Sequence, residues 1–451
     1  MSPRAARAMK PSGIPWLGDV PEGWEIVPLF KLVSQVKFPN EGMIEKNLLS
    51  LSYGRIIRKN METASGLVPE NYAGYNRIEP KDIVLRLTDL QNDQKSLRVG
   101  ISYERGIVTS AYLTIRPNSS SEADYLACAI KVFDFKKGFY GIGSGVRQSL
   151  KFSEVKKIAF PLPPLPEQRA IAERIDREVT RVDALREKIN REIERLGDYK
   201  KSLIAEAVTG RVAGGRVSPR AEHAAAVDSR PPVDDAGGRV SPRAERPMKP
   251  SGIPWLGDVP EGWDIKKGKY CLRQINRPTK EEDGVITCFR DGEVTLRSKR
   301  REEGFTVSMK EIGYQGIEPG DLVVHGMDGF AGSIGVSDSR GKASPVLIVL
   351  DTEQDKKFLM YYLRTVAYKN VFVGLATGIR VRSCDLRWPK LAELPYLLPP
   401  LPEQREIAEY LDRAVTRIDA VVARRKAQVE KLEAFKRSLI QEYVTGKREV
   451  K

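Results

Sequence analysis

The sequence predicts an α+β fold in which two mixed α/β modules are separated by two long antiparallel coiled-coil helices, arranged as a pseudo-twofold internal repeat. Three observations predict this. The chain contains an internal repeat, since residues 2–24 and 241–263 agree at 21 of 23 positions. Each half ends in a stretch with apolar residues at heptad spacing. Short apolar runs rich in β-branched residues fill the stretches between.

Composition limits the class of protein. The 451 residues include 75 Lys and Arg against 60 Asp and Glu, a formal charge of +15, and 41% are hydrophobic. This excludes a disordered polyelectrolyte, and the lack of an apolar run of about 18 residues argues against a membrane span. The N-terminus has no apolar core, so we expect no secretory signal. Four scattered cysteines without a CxxC pair favour the reducing cytoplasm, and only two histidines argue against a multi-histidine metal site.

The opening of each half, IPWLGDVPEGW, holds four of the five tryptophans, and we expect them to anchor the modules by burying large aromatic area. Behind it, IEPKDIVLRLTD (78–89) aligns with IEPGDLVVHGMD (317–328), and residues 144–152 align loosely with 377–385. The remaining module sequences differ. A shared framework with different surfaces is expected of two modules that read different ligands.

Runs with β-branched residues at 82–87, 111–117, 321–326 and 346–350 predict strands. Residues 122–133 and 355–368 predict short helices. Each module is therefore expected to be α+β.

The block LPPLPEQR closes each module at 162–169 and 398–405, and helical periodicity follows it. Each helix should run about 44 residues and end at SLIAEAVTG or SLIQEYVTG, with Gly210 as a stop signal. A helix this long needs a partner for its apolar stripe, and we expect the other helix. Packing on its own module or homodimerisation are the alternatives. The predicted seam contains Ile175, Val182, Ile189, Leu196, Leu203, Leu411, Ile418, Leu432 and Leu439, with Arg425 where Ile189 stands in the first half.

Residues 211–248 contain no Leu, Ile or aromatic residue and cannot supply a core. We expect a flexible linker.

The positive charge is concentrated in the modules. Residues 25–161 carry 20 basic and 14 acidic residues, and residues 264–397 carry 22 and 18, whereas the two helices together hold only +1. Basic residues next to aromatics and glycines suit phosphate and guanine contacts. Arg147 and Arg380 stand out because both halves place Arg after a Gly-Val/Ile pair. The candidate DNA-binding residues are Arg55, Arg58, Lys59, Arg86, Arg105, Arg147, Gln148, Lys151, Arg290, Arg297, His325, Arg380 and Arg382.

No phosphate-binding loop or intact dinucleotide motif is present, and no His is placed as a base in both halves. The sequence therefore predicts a binding protein without an active site of its own. Two other classes stay open: a scaffold whose basic modules bind protein or RNA, and a self-contained enzyme.

The layout resembles the specificity subunit of a type I restriction–modification system over essentially the full chain. GIPWLGDVPEGW, LPPLPEQR and the SLI…E…VTG helix end carry this resemblance. It implies target-recognition domains at 1–164 and 249–400, conserved long helices at 165–210 and 401–451, and a linker at 211–248. The long, repetitive linker and the nearly perfect duplication of the opening depart from the family and suggest a recent joining of two half-subunits.

The resemblance also implies partners. Each recognition domain would read one half of a bipartite, asymmetric site on double-stranded DNA. The helices would dock two modification (methyltransferase) subunits that carry S-adenosylmethionine and methylate adenine N6. Two restriction subunits would add cleavage driven by ATP and Mg²⁺, unless the system only methylates. This chain itself would bind no cofactor and contact no membrane.

Overall fold

The computed structural model describes residues 7–59, 71–90, 97–142, 149–211, 246–300, 311–375 and 386–450. The predicted linker, apart from its first residue and its last three, lies outside these ranges. Within them, none of the helices combines the length and apolar character that crossing a membrane requires.

Seven α-helices occur in the described ranges, and two of them are far longer than the rest. Both long helices have 44 residues, as the heptad pattern predicts, and Gly210 has the positive φ of 72° that suits a helix end. The helices are α1 (Ala123–Phe135), α2 (Phe152–Val155), α3 (Leu165–Val208), α4 (Lys356–Tyr368), α5 (Val371–Leu375), α6 (Trp388–Glu393) and α7 (Leu401–Val444).

The first module is built on a four-stranded antiparallel sheet in the order β4-β11-β8-β9, with two-stranded pairs β1-β2, β3-β12, β5-β6 and β7-β10 around it. Helix α1 packs on this sheet through β9. The strands are β1 (Met9–Pro11), β2 (Asp19–Pro21), β3 (Glu25–Pro28), β4 (Val33–Val36), β5 (Leu49–Ser52), β6 (Arg55–Arg58), β7 (Asn76–Ile78), β8 (Ile83–Leu85), β9 (Val99–Ile101), β10 (Gly106–Val108), β11 (Leu113–Pro117) and β12 (Ala159–Leu162).

The second module repeats this topology strand for strand. Its four-stranded sheet has the order β16-β23-β20-β21, and its pairs are β13-β14, β15-β24, β17-β18 and β19-β22. The modules therefore share one framework, although their sequences differ. The strands are β13 (Met248–Pro250), β14 (Asp258–Pro260), β15 (Asp264–Lys267), β16 (Arg273–Ile275), β17 (Ile286–Cys288), β18 (Val294–Leu296), β19 (Gln315–Ile317), β20 (Leu322–His325), β21 (Ile334–Val336), β22 (Gly341–Ala343), β23 (Leu347–Asp351) and β24 (Pro395–Leu398).

The boundaries of the two compact units differ from those of the two sequence repeats. Unit 1 contains Met1–Ile189 and Ala427–Lys451, and unit 2 contains Asn190–Lys426. Each unit thus combines one module, the first half of the helix that follows it, and the second half of the other repeat's helix.

In unit 1 the start of α3 and the end of α7 run antiparallel. Ile171 and Ile175 share one buried core with Leu439 and Tyr443. Along the pair, Asp183 Oδ1 accepts a hydrogen bond from Lys436 Nζ at 2.8 Å. These contacts show the predicted antiparallel pairing of the two helices within one chain.

Unit 2 repeats the arrangement with the helices exchanged. Leu203 and Ile204 of α3 share a buried core with Leu411 and Ile418 of α7. Arg425, which interrupts the apolar seam, forms an ion pair with Glu192 at 3.3 Å. The break in the heptad pattern is therefore matched by a charge on the facing helix.

Most predicted seam residues are buried, with Leu196 and Leu432 half-buried. Leu185, whose spacing also suggests a place near the seam, is 47% exposed. The buried seam positions are Ile175, Val182, Ile189, Leu203, Leu411, Ile418 and Leu439.

Candidate nucleic-acid interface

Each module is fixed to its long helix by the glutamate of the LPPLPEQR block. Glu167 accepts two hydrogen bonds from Arg7, at 2.6 and 3.1 Å, and a third from the buried Trp24 indole at 3.1 Å. In unit 2, Glu403 accepts the same set from Arg246 and Trp263. The matching openings of the two halves therefore serve to hold a module on a helix.

The glutamine of the same block ties the long helix to the short one. Gln168 Oε1 accepts from the backbone N–H of Glu122, which caps α1, at 2.7 Å. Gln404 accepts from the backbone N–H of Asp355, which caps α4, at 3.0 Å. In each module the short helix is thus linked through its cap residue to the start of the long helix.

One group of candidate residues gathers at the end of β8, where Arg86 lies half-buried. The next residue, Leu87, accepts a hydrogen bond from the N–H of Leu150 at 2.8 Å. This contact fixes the chain immediately after residues 143–148, and the exposed Lys151 follows it. The end of a central strand and the segment that leads into α2 therefore meet here.

The second module has the same contact at the end of β20. Gly326 accepts from the N–H of Leu386 at 2.9 Å, and Leu386 comes shortly before α6 in the chain. His325 occupies the position of Arg86 in the aligned sequences. The exposed Arg290 joins this group through an ion pair with Asp328 at 3.0 Å.

His325 is held as a neutral donor. Its Nδ1 accepts from the backbone N–H groups of Met327 and Asp328, at 3.2 and 3.0 Å. Burial lowers the pKa of His325, and the opposing effect of the Asp328 charge does not cancel this. The proton of the neutral ring therefore resides on Nε2, which can donate one hydrogen bond.

Arg58 and Arg105 lie at the opposite end of the antiparallel strands β8 and β9, whereas Arg55 follows Gly54, which lies beside Leu97 before the start of β9. Arg58 pairs with Glu104, and Arg105 lies 3.4 Å from Glu45. Arg55 pairs with Asp183 of α3, while the neighbouring Lys59 is exposed. The candidates of this module therefore form two groups rather than one surface.

Arg297 of the second module is half-buried at the end of β18, where its Nε donates to Thr287 Oγ1 at 3.3 Å. It lies away from Arg290, which is in the turn between β17 and β18. Four further candidates, Arg147, Gln148, Arg380 and Arg382, lie outside the described residues.

Sequence reasoning did not single out Arg98, which is fully buried. Its guanidinium donates to the carbonyls of Arg86 and Thr88, at 3.0 and 2.9 Å, and to the Tyr140 hydroxyl at 3.0 Å. Arg98 therefore positions the backbone at the end of β8. Nothing in the sequence marks it, because its acceptors are backbone carbonyls set by the fold.

Arg300 is a second residue that the sequence did not single out. It lies 4.1 Å from the Phe289 ring centre and pairs with Asp291 and Glu293. Its neighbours in the fold come from the turn between β17 and β18, which Arg300 helps to hold.

Comparison with known proteins points to one family. A family model described as the type I restriction modification DNA specificity domain matches residues 71–195, which run from the first module into α3. The specificity subunit of the type I restriction enzyme EcoKI from Escherichia coli (strain K12) is 25% identical over 209 residues, 43% of this chain and 44% of that protein. The StySPI specificity subunit from Salmonella potsdam is 26% identical over 208 residues, with the same coverage.

The matches cover less than half of the length of these two relatives. A solved chain from work on complex assembly and conformational transition of the type I R-M system has the same fold. It has a TM-score of 0.56 at 14% identity and covers 94% of this chain and 98% of its own. Residues 71–195 of this chain are therefore similar to type I restriction–modification DNA specificity domains, and the chain, with two modules of one topology and paired long helices, has the fold of a solved type I R-M chain.

Proposed function

We propose that this chain reads a bipartite, asymmetric site on double-stranded DNA and directs a type I restriction–modification complex to it. Each module contacts one half-site. Phosphate contacts supply salt-dependent affinity, and side chains in the groove supply the sequence.

The observation that supports this proposal most directly is that the ends of β8 and β20 have the same backbone geometry. The same backbone contact recurs in both modules, through Leu87 with Leu150 and Gly326 with Leu386. The side chain beside it differs, because Arg86 can pair with guanine O6 and N7, whereas the neutral His325 offers one donor. Two half-sites of different sequence follow from this difference.

The distribution of charge supports the same assignment. The modules hold most of the net positive charge, and the two long helices are nearly neutral. Neutral helices with mixed charge favour protein partners over phosphate. We therefore propose that the helices dock two methyltransferase subunits and that two restriction subunits join the complex.

In this proposal the chain itself catalyses nothing. S-adenosylmethionine is bound by the methyltransferase subunits, which transfer its methyl group to adenine N6, and ATP with Mg²⁺ is used by the restriction subunits. The purified chain is expected neither to methylate nor to cleave DNA. Activity without partners would contradict this part of the proposal.

Single substitutions in the reconstituted complex test the assignment. Arg86→Ala should weaken binding by about 5- to 150-fold and relax sequence preference in one half-site only, while His325→Ala should affect the other half-site. Lys31→Ala, at an exposed position away from both strand ends, serves as control. Equal binding of wild type to scrambled duplexes at physiological salt, or identical effects of both substitutions on both half-sites, would contradict the proposal.

A further inference from the structure

An open cleft of about 440 Å³ lies between α1 and the start of α3 in unit 1. Cys128, Ala172 and Ile175 line its apolar part, and Ile440 from the end of α7 contributes as well. A volume of this size is in the range of small-ligand sites. None of the candidate DNA-binding residues lines it.

The second repeat has a corresponding wall, formed by its long helix α7, and there a side chain covers it. Ala172, Asp176 and Val179 of α3 correspond to Ala408, Asp412 and Val415 of α7, and Ile175 corresponds to Leu411, so the long-helix side is nearly unchanged. The short helices are aligned by their caps, since Gln168 binds the N–H of Glu122 and Gln404 binds that of Asp355. This alignment places Tyr361 of α4 at the position of Cys128.

In unit 2 a phenol lies against this wall. The Tyr361 hydroxyl donates to Asp412 Oδ1 at 2.8 Å, and Lys357 Nζ lies 2.6 Å from Asp412 Oδ2. Tyr361 is 3% exposed. In unit 2 the long helix therefore provides an apolar surface for a tyrosine ring and a carboxylate acceptor for its hydroxyl.

In unit 1 the wall remains but both donors are replaced. Cys128 stands in place of Tyr361, and Asp124 stands in place of Lys357. Asp176 is exposed on the cleft and has neither a hydrogen-bond nor an ion-pair partner among the described residues. The Asp176 carboxylate and the apolar surface beside it therefore have no tyrosine like the one that covers the corresponding surface in unit 2.

The rim of the cleft is held by a strained residue. Lys81 has a φ of 74°, where the second repeat places Gly320 with a φ of 87°. The Lys81 ammonium pairs with Asp124 at 2.6 Å, and the Tyr103 hydroxyl donates to Asp124 at 2.7 Å. Asp124 is thus held at the rim. Backbone strain that the surroundings maintain is typical of functional sites.

We propose that this cleft binds a phenol group, with its ring against Cys128, Ala172 and Ile175 and its hydroxyl donating to Asp176. The source we expect is a tyrosine side chain of a partner polypeptide, because the cleft is larger than one ring requires and is open to solvent. Burial raises the pKa of the Cys128 thiol to about 11, so the floor of the cleft is uncharged at neutral pH.

Titration of the full chain with p-cresol tests the site. The methyl NMR signals of Ile175 and Ile440 should shift in a saturable way, and Cys128→Tyr should abolish the shifts because the new ring fills the cleft. Asp176→Ala, a change at an exposed position, should weaken binding by about 5- to 10-fold. The matched control is Tyr361→Cys, which should open a second p-cresol site reported by Leu411 and Ile204.

A second ligand distinguishes the source of the phenol. N-acetyl-L-tyrosine N-methylamide should bind at least as tightly as p-cresol if the site accepts tyrosine within a chain, and more weakly if it accepts only small free phenols. Absence of shifts with both ligands at several millimolar would overturn the proposal. So would shifts that persist in Cys128→Tyr, or an affinity for p-cresol that is unchanged in Asp176→Ala.

Discussion

Glu167 and Glu403 show how two identical short motifs produce two identical joints. Each carboxylate accepts from an indole and from both terminal nitrogens of one arginine. The arginine also lies over the tryptophan ring, at 5.3 Å for Arg7 and 5.2 Å for Arg246. Such paired, charge-assisted bonds resist replacement by a neutral amide.

Glu167→Gln should lower the free energy of unfolding by about 1–3 kcal/mol, because it leaves the partly buried Arg7 without a counter-charge. Glu403→Gln should cost a similar amount through Arg246. Urea unfolding of the full chain measures both. Glu187→Gln, at an exposed position of α3, is the control and should change stability little. Equal losses in all three variants would contradict this role.

Glycines at the helix ends offer a second comparison. Gly446 has a φ of 69°, and an added Cβ would lie 2.4 Å from Pro21. Gly446→Ala should therefore cost about 1–3 kcal/mol of unfolding free energy. Gly197 lies within α3 with open space around it, so Gly197→Ala should stabilise the chain by about 0.5–1 kcal/mol. Thermal or urea unfolding measures both, and the same sign for the two variants would refute the argument.

The ion-pair partners of the candidate arginines could not be predicted from the sequence. Basic residues next to glycines and aromatics indicated surface exposure, and Arg58 and Arg290 are exposed. Their acidic partners lie far away in sequence, as with Arg55 and Asp183, which are 128 positions apart. Only the fold brings such pairs together.

Helices and strands were predicted correctly where the hydrophobic pattern in the sequence was long or strongly apolar. The helical period predicted 44 residues for each long helix, and the structure has 44. The run at 346–350 predicted a strand, found at Leu347–Asp351. The hairpin of β5 and β6 was not predicted, because strands of four residues with exposed charged ends carry too weak a period.

The helix pair of unit 1 contains a buried carboxylate that should make stability depend on pH. Burial alone would raise the pKa of Asp183, but the hydrogen bond from Lys436 and the charges of Arg55 and Arg186 outweigh it and lower the pKa. A lowered folded-state pKa contributes stability above the unfolded value of about 4, and this is lost as pH falls through the folded value.

Asp183→Asn should therefore cost about 1–3 kcal/mol at pH 7, and its difference from wild type should shrink below about pH 4. Urea unfolding across this pH range measures the difference. Asp198→Asn, whose side chain is 79% exposed, is the control and should show little effect at either pH. A difference that stays constant from pH 7 to pH 3 would exclude the proposed charge interaction.

At the scale of the whole molecule, the two repeats do not correspond to the two compact units. Each unit takes the end of its helix pair from the other repeat, and Gly210 and Gly446 seat those ends against Pro260 and Pro21. The sequence repeats predicted the common plan. The predicted antiparallel pairing of the long helices already implied that the end of each helix lies beside the module of the other repeat, and the compact units agree with this.

If the helices set the spacing of two half-sites, lengthening both should lengthen the spacer. Seven residues inserted after Ile189 in α3 and after Lys426 in α7 keep the heptad phase and add about 10 Å. The recognised spacer should grow by about three base pairs, at about 3.4 Å each. The insertion in α3 alone is the control and should lower stability. A spacer that is unchanged by the double insertion would contradict the role of the helices.

Base-resolved mapping of adenine methylation on genomic DNA, with and without this gene, tests whether the chain directs methylation to a bipartite DNA site. One N6-methyladenine motif should disappear when the gene is removed. That motif should consist of two different half-sites separated by a fixed, unspecified spacer. Methylation that is unchanged by removal of the gene, or a lost motif that is contiguous or palindromic, would exclude recognition of a bipartite, asymmetric site by this chain.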